Sequence, residues 1–178
     1  MKKIKTLFAI GRMSVGGAEK LLVHELIALD RSRFEPYLLT LFPETKESLA
    51  EEVALPLDHW RKECFASLAD IGAWFRLIRF LKKEKFDAVI TSLFSANFVV
   101  RVASLFARIP VVVSYEHNLY PDKRRWQIFA DQYLARHTDR IIVDAETVKE
   151  FTSKQERIPK EKFLTLYIPP LTASGGRP

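Results

Sequence analysis

Short apolar runs alternate along the chain with segments whose apolar residues repeat at helical spacing. The runs predict buried strands, because a strand covered on both faces of a parallel sheet is apolar at almost every position. They span residues 4–10, 34–42, 86–91, 111–115, 141–143 and 163–168. The segments between them predict helices, since apolar side chains three and four residues apart share one helical face.

Five helices are predicted from this spacing. The apolar face of the first consists of Ala18, Leu22, Leu26 and Leu29. The second is long, and its predicted apolar face consists of Leu68, Ile71, Phe75 and Ile78, with Trp74 and Leu81 alongside. The others span residues 94–107, 126–134 and 147–154. Residues 44–64 show no clear period, and we predict a short helix over 46–52 followed by a strand over 53–57.

Strands that alternate with helices in this way predict successive β-α-β units, which build a parallel sheet with helices on both faces. The predicted fold class is therefore α/β, a Rossmann-like three-layer α/β/α sandwich with a mostly parallel sheet. Residues 1–170 are expected to form this one domain. Residues 171–178 are rich in Gly, Ser and Pro and are predicted to be the start of a linker or a tail.

Composition agrees with one globular domain and restricts its partners only loosely. The chain has 178 residues, of which 48% are hydrophobic and 28% charged, as in ordinary folded proteins. The net charge of +6 favours anionic partners such as phosphate-bearing ligands, acidic membranes or nucleic acid. Cys64 is the single cysteine, so it forms no internal disulfide. Because no Cys/His cluster has ligand spacing, we predict no metal site.

We expect neither a signal peptide at the start of this sequence nor a membrane span within it. The apolar run at residues 4–10 is followed by Gly11 and Arg12 where a signal peptide has its cleavage site. The most apolar stretch, residues 98–115, is interrupted by Arg101 and Arg108. We expect a cytoplasmic protein, with peripheral attachment to the inner face of the membrane left open.

Candidate chemistry lies in the loops that follow the strands, because ligands of open parallel sheets bind beyond the carboxyl ends of the strands. The first loop contains Gly16, Gly17 and Glu19 at the start of a helix. Glycine permits close approach of a ligand to the backbone, and the free N–H groups of a helix start favour a phosphate. An ordinary strand-to-helix turn explains the loop equally well.

Three later loops carry further candidates. Ser92 follows the fourth strand, and Asn97, Arg101, Ser104 and Arg108 form a polar stripe on the next helix, facing either a cleft or water.

Glu116, His117 and Asn118 end the most apolar strand. A histidine there is suited to proton transfer or to holding a ligand hydroxyl, with a bond to a loop carbonyl as the alternative. Asp144 is expected to cap the following helix, with Glu146 as a less favoured ligand.

The long helix also presents a basic face. Arg76, Arg79, Lys82 and Lys83, with Trp74 on the flank, form a candidate surface for an anionic membrane. A solvated face is the simpler explanation. No recognised nucleic-acid motif accompanies these cations, so we predict no nucleic-acid partner.

Four stretches together resemble the N-terminal domain of the family 4 glycosyltransferases, retaining enzymes of the GT-B fold. They are residues 16–19, residues 91–97 with Arg101 downstream, residues 111–118, and residues 139–146, where the family reads "adriiavSe". Their order and spacing carry the resemblance, which extends over residues 3–170.

The resemblance implies a role for each matching position. The Gly16-Gly17 turn would lie at the interdomain cleft near the donor diphosphate and the acceptor. His117, the candidate catalytic residue, would lie close to the transferred sugar, and Ser92 and Asn97 would shape the acceptor side. Transfer in this family is described as front-face attack assisted by the leaving phosphate, so His117 is not expected to be a nucleophile. The nucleotide sugar would be a co-substrate, with no tightly bound cofactor.

Two departures from the family pattern matter. The family commonly has serine where Asp144 or Ala145 stands. After the last strand it reads "ipNGvD" or "yNP", whereas this chain has no asparagine over residues 166–171. We expect the C-terminal donor domain of the family, a partner in cis or as a subunit, to be absent from this chain, which alone would be inactive.

The predicted function is therefore the acceptor-binding half of a glycosyltransferase that moves a sugar from a nucleotide sugar to a glycan or lipid-linked acceptor, as in polysaccharide biosynthesis. Two alternatives stay open. One is a non-catalytic Rossmann-like module that docks on an anionic membrane or a partner protein. The other is a self-contained nucleotide-binding domain that uses the Gly16-Gly17 turn.

Overall fold

The computed structural model describes residues 2–53, 55–63 and 65–167. The predicted linker at 171–178 and Cys64 lie outside these ranges. The strands are β1 (Ile4–Ile10), β2 (Phe34–Thr40), β3 (Trp60–Lys62), β4 (Ala88–Ser92), β5 (Val111–Glu116), β6 (Arg140–Val143) and β7 (Phe163–Thr165). The helices are α1 (Gly17–Ala28), α2 (Ile71–Glu84), α3 (Leu93–Ala107), α4 (Arg125–Ala135) and α5 (Glu146–Glu156).

The strands form one parallel sheet in the order β3-β2-β1-β4-β5-β6-β7. From β1 the chain moves outward to β2 and β3, then crosses back to β4 and continues in the opposite direction. Right-handed crossovers place helices on opposite faces when the direction of travel reverses. The chain therefore reverses at β1 and β4, and the adjacent carboxyl ends of these strands open a crevice.

The two faces of the sheet pack against separate helices. On one face Leu22 and Leu26 of α1 lie in an apolar cluster with Phe8, Ile10 and Leu38. On the other face Leu77, Leu81 and Val99 of α2 and α3 pack against the sheet residues Leu7, Leu39 and Val89. Helices α4 and α5 extend this second layer. The predicted α/β/α sandwich with a parallel sheet is confirmed.

The prediction for residues 44–64 was wrong. Residues 50–52 form a short 3₁₀ turn instead of a helix over 46–52, and a second such turn spans Leu57–His59. The third strand is β3, Trp60–Lys62, which pairs with β2 at the sheet edge. Arg61 and Lys62 are exposed, so this strand lacks the apolar run by which the others were recognised.

The buried face of α2 also differs from the prediction. Ala73, Leu77 and Leu81 face the core, whereas Ile71 and Phe75 are 68% and 70% exposed. The helix is apolar over more than half of its circumference. The spacing of its apolar residues therefore did not distinguish the face that is buried from the face that is exposed. Within the described ranges, no helix is long and apolar enough to cross a membrane.

Candidate functional site

A cavity of about 490 Å³ opens at the carboxyl edge of the sheet. Its walls come from the loops that follow β1, β4, β5 and β6, which the topology brings together. The lining residues are Gly16, Gly17, Ala18, Glu19, Leu21, Leu93, His117, Asn118 and Asp144. Five of the residues selected from the sequence therefore share one cavity: Gly16, Gly17, Glu19, His117 and Asn118.

The turn before α1 is fixed by Glu19. Gly16 is the N-cap of α1 and makes no side-chain cap bond. Glu19 is buried, and its carboxylate accepts a hydrogen bond from the Ser14 hydroxyl at 2.9 Å. A Cβ at residue 16 would clash with this carboxylate, whereas a Cβ at Gly17 would meet nothing within 4 Å. The open wall for a ligand is therefore at Gly17.

Leu93 gives the cavity a strained backbone position. It is the first residue of α3 and has φ of 67°, a left-handed conformation that is costly for a residue with a side chain. Such strain persists where the surrounding structure holds it, and it is found preferentially at functional sites. This observation supports the cavity as the functional site.

His117 faces Asp144 across the cavity wall. The distance from His117 Nδ1 to Asp144 Oδ2 is 4.0 Å, and the histidine side chain is only 8% exposed. Its ring stacks on Tyr115 with centroids 4.0 Å apart. Burial lowers the pKa of His117, and the nearby Asp144 carboxylate only partly opposes this. The imidazole is therefore neutral at pH 7 and can both donate and accept a hydrogen bond.

Replacement of Asp144 by Asn is expected to lower the pKa of His117 further, because it removes the charge that favours the imidazolium. The measurement is an NMR titration of the histidine Cε1–H signals. Asp58→Asn, which changes an exposed carboxylate outside the cavity, is the matched control. An unchanged His117 titration in Asp144→Asn would show that the two groups do not interact.

Asp144 was expected to cap α5, and this was wrong. The N-cap is Ala145, without a side-chain cap bond, and Asp144 lines the cavity instead. Glu146 lies outside the cavity wall, where it accepts one hydrogen bond from the Thr165 hydroxyl and pairs with Lys149. The carboxylate that this loop contributes to the cavity is therefore Asp144.

The polar stripe on α3 faces neither a cleft nor water along most of its length. Asn97 is buried, donates to Glu116 Oε1 at 2.8 Å and to the Tyr115 carbonyl at 3.1 Å, and accepts from Thr91 at 2.6 Å. Burial raises the pKa of Glu116. These contacts fix the end of β5, from which His117 projects. Ser92 is buried as well, so these residues support the cavity from behind.

Arg101 belongs to a buried group of charges that we call the ionic cluster: Arg101, Lys123, Asp131 and Glu156. Arg101 lies 3.2 Å from Asp131, and Lys123 lies 2.8 Å from Asp131 and 2.5 Å from Glu156. Burial raises the pKa of Glu156 to about 7. Burial disfavours the Lys123 ammonium, but the carboxylates Glu116, Asp131 and Glu156 outweigh this and raise the pKa of Lys123.

The ionic cluster holds the loop between β5 and α4, which carries His117, onto the helices. Lys123 lies in this loop, and Gln155 of α5 donates to the Tyr120 carbonyl at 3.0 Å. Sequence reasoning missed Lys123 because a lysine in a polar loop is typical of a solvated surface. Its carboxylate partners lie 8 and 33 residues further along the chain, on two different helices, so no local pattern marked it.

The basic face of α2 is exposed, whereas Trp74 is half-buried. Its ring packs between Phe65 and Phe98, and its indole N–H donates to the Leu68 carbonyl at 2.8 Å. Trp74 is thus a packing residue of the helical layer. Arg76 approaches Glu63 at 3.5 Å, and Arg79, Lys82 and Lys83 are exposed.

Comparison with known families identifies the chain. A model described as Glycosyltransferase Family 4 matches residues 15–167. The chain belongs to glycosyltransferase family 4. The resemblance of the four stretches is thereby confirmed, and the family places the chain among proteins of sugar transfer. No match is found among curated protein sequences.

Solved structures share the fold at low identity. HepE from Anabaena, in complex with UDP and glucose, is 18% identical with a TM-score of 0.69, over 92% of this chain and 44% of its own. The lipopolysaccharide outer core galactosyltransferase WaaB is 13% identical with a TM-score of 0.69, over 93% and 46%. A UDP-N-acetylglucosamine 2-epimerase is 16% identical with a TM-score of 0.65, over 92% and 48%. This family 4 chain thus spans less than half the length of each.

Proposed function

We propose that this chain is the acceptor-side half of a retaining glycosyltransferase that transfers a sugar from a nucleotide sugar to a glycan or lipid-linked acceptor. The observation that carries the proposal is the cavity at the carboxyl edge of the sheet in a member of glycosyltransferase family 4. Gly17 provides an open backbone wall there, and His117 and Asp144 provide polar groups opposite it.

In this proposal most contacts to the nucleotide come from a second, donor-binding domain. The structural relatives are more than twice as long as the matched region, which leaves room for such a domain, and one of them, HepE, is in complex with UDP and glucose. The Glu19 carboxylate at the start of α1 repels a phosphate, so the diphosphate would lie beside Gly17 and be neutralised mainly by the other domain.

His117 acts in this proposal as a neutral hydrogen-bonding group for a sugar hydroxyl. Its lowered pKa keeps it uncharged at pH 7, and stacking on Tyr115 fixes the ring. A ring held by packing contributes to catalysis by orientation, since little freedom is lost when the sugar binds. The leaving phosphate, not His117, accepts the proton of the attacking hydroxyl.

The test is an assay of the chain alone and joined to the C-terminal domain of a family 4 enzyme. We expect the joined protein to release nucleoside diphosphate from a nucleotide sugar in the presence of an acceptor, and the chain alone to show no turnover. The C-terminal domain alone is the control. Failure of the joined protein with every nucleotide sugar in a panel would contradict the proposal, and tight UDP binding by the isolated chain would favour a self-contained nucleotide-binding domain.

A non-catalytic docking module is the second candidate function. The observation that favours it is the exposed apolar and basic surface of the helical layer, which the proposed chemistry does not use. The cytoplasmic location, with peripheral attachment to the membrane, stays a prediction.

A further inference from the structure

Two adjoining cavities open at the amino edge of the sheet, opposite the cavity that contains His117. One has a volume of about 290 Å³ and lies between the ends of α4 and α5. The other has a volume of about 250 Å³ and lies between the ends of α3 and α4. Arg136 and Lys162 line both cavities, so the two share one wall. We call the pair the amino-edge pocket.

Four cations line the amino-edge pocket: Arg108, Arg136, Arg157 and Lys162. The three arginines are the C-cap residues of α3, α4 and α5, and these helix ends meet here because the helices run antiparallel to the strands. None of the four cations forms an ion pair with a residue that the structure describes. Their charge is therefore available to an anion.

The other polar groups of the pocket do not cancel this charge. Among the described lining residues the only carboxylate is that of Asp139, and its Oδ2 already accepts the backbone N–H of Val112 at 2.8 Å. Ser104 lines the second cavity and is 2% exposed, and its hydroxyl bonds to no described residue. Buried polar groups normally have a partner, so this hydroxyl is available to an oxygen atom bound in the cavity.

A cation at a helix end also has a local role, because it balances the partial negative charge of the last carbonyl groups. In α3, α4 and α5 the carbonyls of Ser104, Tyr133 and Ser153 already accept backbone N–H groups at 3.1–3.2 Å. Lys162 belongs to none of these helices, and its ammonium donates to the Thr138 carbonyl at 2.9 Å. This bond holds Lys162 in the wall that the two cavities share, so helix ends alone do not explain the four cations.

The first cavity has an apolar floor between its cations. Ala135, Ile158 and Pro159 line it, and Ala135 and Ile158 belong to a buried apolar cluster with side chains of β6 and β7. A few polar groups around an apolar surface are typical of sites for small organic molecules. The pocket therefore fits a molecule that has both an anionic group and an apolar body.

We propose that the amino-edge pocket binds a small organic phosphate. The phosphate group lies at the shared wall, where the Arg136 guanidinium binds two of its oxygens and the Lys162 ammonium adds a second positive charge. The apolar body lies over Ile158 and Pro159. A phosphate suits the pocket better than a carboxylate because it carries more charge and three free oxygens. The inference does not depend on sugar transfer, since this pocket lies at the other edge of the sheet.

The test is isothermal titration calorimetry of the full chain with phenyl phosphate, compared with inorganic phosphate at the same ionic strength. We expect phenyl phosphate to bind at one site, about tenfold more tightly than inorganic phosphate because its ring is buried. Binding should weaken as salt is raised. Arg136→Gln/Lys162→Gln is expected to weaken binding of phenyl phosphate at least about tenfold, the effect of losing one charged hydrogen bond.

The matched control is Arg79→Gln/Lys83→Gln, which removes the same kinds of cation from a groove between α2 and β3 and should bind phenyl phosphate like the unmodified chain. Circular dichroism melting curves check that each variant is folded. If the double variant of the pocket does not fold, Arg136→Gln alone, at an exposed position, gives the same readout.

Equal binding of phenyl phosphate by the folded pocket variant and the unmodified chain would overturn the proposal. A lower melting temperature of that variant with unchanged binding would show that the cations only stabilise the helix ends, which also contradicts the proposal. So would binding to vesicles of phosphatidic acid by a chain that does not bind phenyl phosphate, because the site would then recognise a lipid surface and not a small molecule.

Discussion

The Lys123→Met variant is expected to be about 3–5 kcal/mol less stable to unfolding than the unmodified chain. Lys123 is 4% exposed and contacts the buried carboxylates of Asp131 and Glu156. Methionine fills a similar volume but leaves this buried negative charge with Arg101 as its remaining close cation. Since a domain of this size is stable by only about 5–15 kcal/mol, the loss is large. Urea unfolding followed by circular dichroism measures it.

Two further variants distinguish the effect of the buried charge on stability from the effect of changed packing. Lys160→Met removes a lysine that pairs with Glu150 at 2.5 Å but on the exposed surface, and it should cost less than about 1 kcal/mol. Glu156→Gln added to Lys123→Met should restore part of the lost stability, because it removes one unpaired buried charge. If Lys123→Met costs no more than Lys160→Met, the ionic cluster does not stabilise the loop that carries His117.

The His117→Ala variant of the joined two-domain enzyme is expected to lower kcat/KM by about 10²-fold, the usual cost of removing one preorganised hydrogen-bond donor from an active site. The reason is the loss of a neutral hydrogen-bonding group held rigid by burial and by the ring of Tyr115. His117→Asn should retain more activity than His117→Ala, since an amide can still bond a hydroxyl. Steady-state kinetics with saturating donor and varied acceptor measure the effect.

His137→Ala is the control for this experiment. His137 is exposed, packs on the ring of Tyr133, and precedes β6 at the amino edge of the sheet, opposite the cavity. It should leave kcat/KM unchanged within about twofold, as expected of a surface substitution. Equal rates for His117→Ala and His137→Ala would remove His117 from the catalytic site while leaving the family assignment intact.

The pattern of helices and strands read from the sequence was sufficient to predict the layered architecture. Strand β1 was predicted with its observed limits, and β5 was predicted to within one residue. Both lie inside a parallel sheet, where both faces are covered and most positions are therefore apolar. Strand β3 at the edge is three residues long, and two of the three are charged, so no apolar run marks it in the sequence.

The grouping of candidate loops also followed from the sequence. Parallel strands place all their carboxyl ends on one edge of the sheet. The loops that follow different strands are therefore expected to lie close together, and this can be predicted from the sequence alone. Gly16, Gly17, His117 and Asn118 meet in one cavity for this reason. The resemblance to the family rested on the order and spacing of four stretches, residues 16–19, 91–97, 111–118 and 139–146.

Which side chains face the cavity depended on contacts between residues distant in sequence. Arg101 and Lys123 are buried because Asp131 and Glu156 from two other helices compensate their charges. Phe75 is exposed although it lies on an apolar helix, because Ala73, Leu77 and Leu81 occupy the sheet-facing side. The local sequence thus determined the elements, their order and the edge at which ligands would bind. Only the packing of those elements decided which polar groups line the cavity, which support it, and which apolar groups remain exposed to solvent.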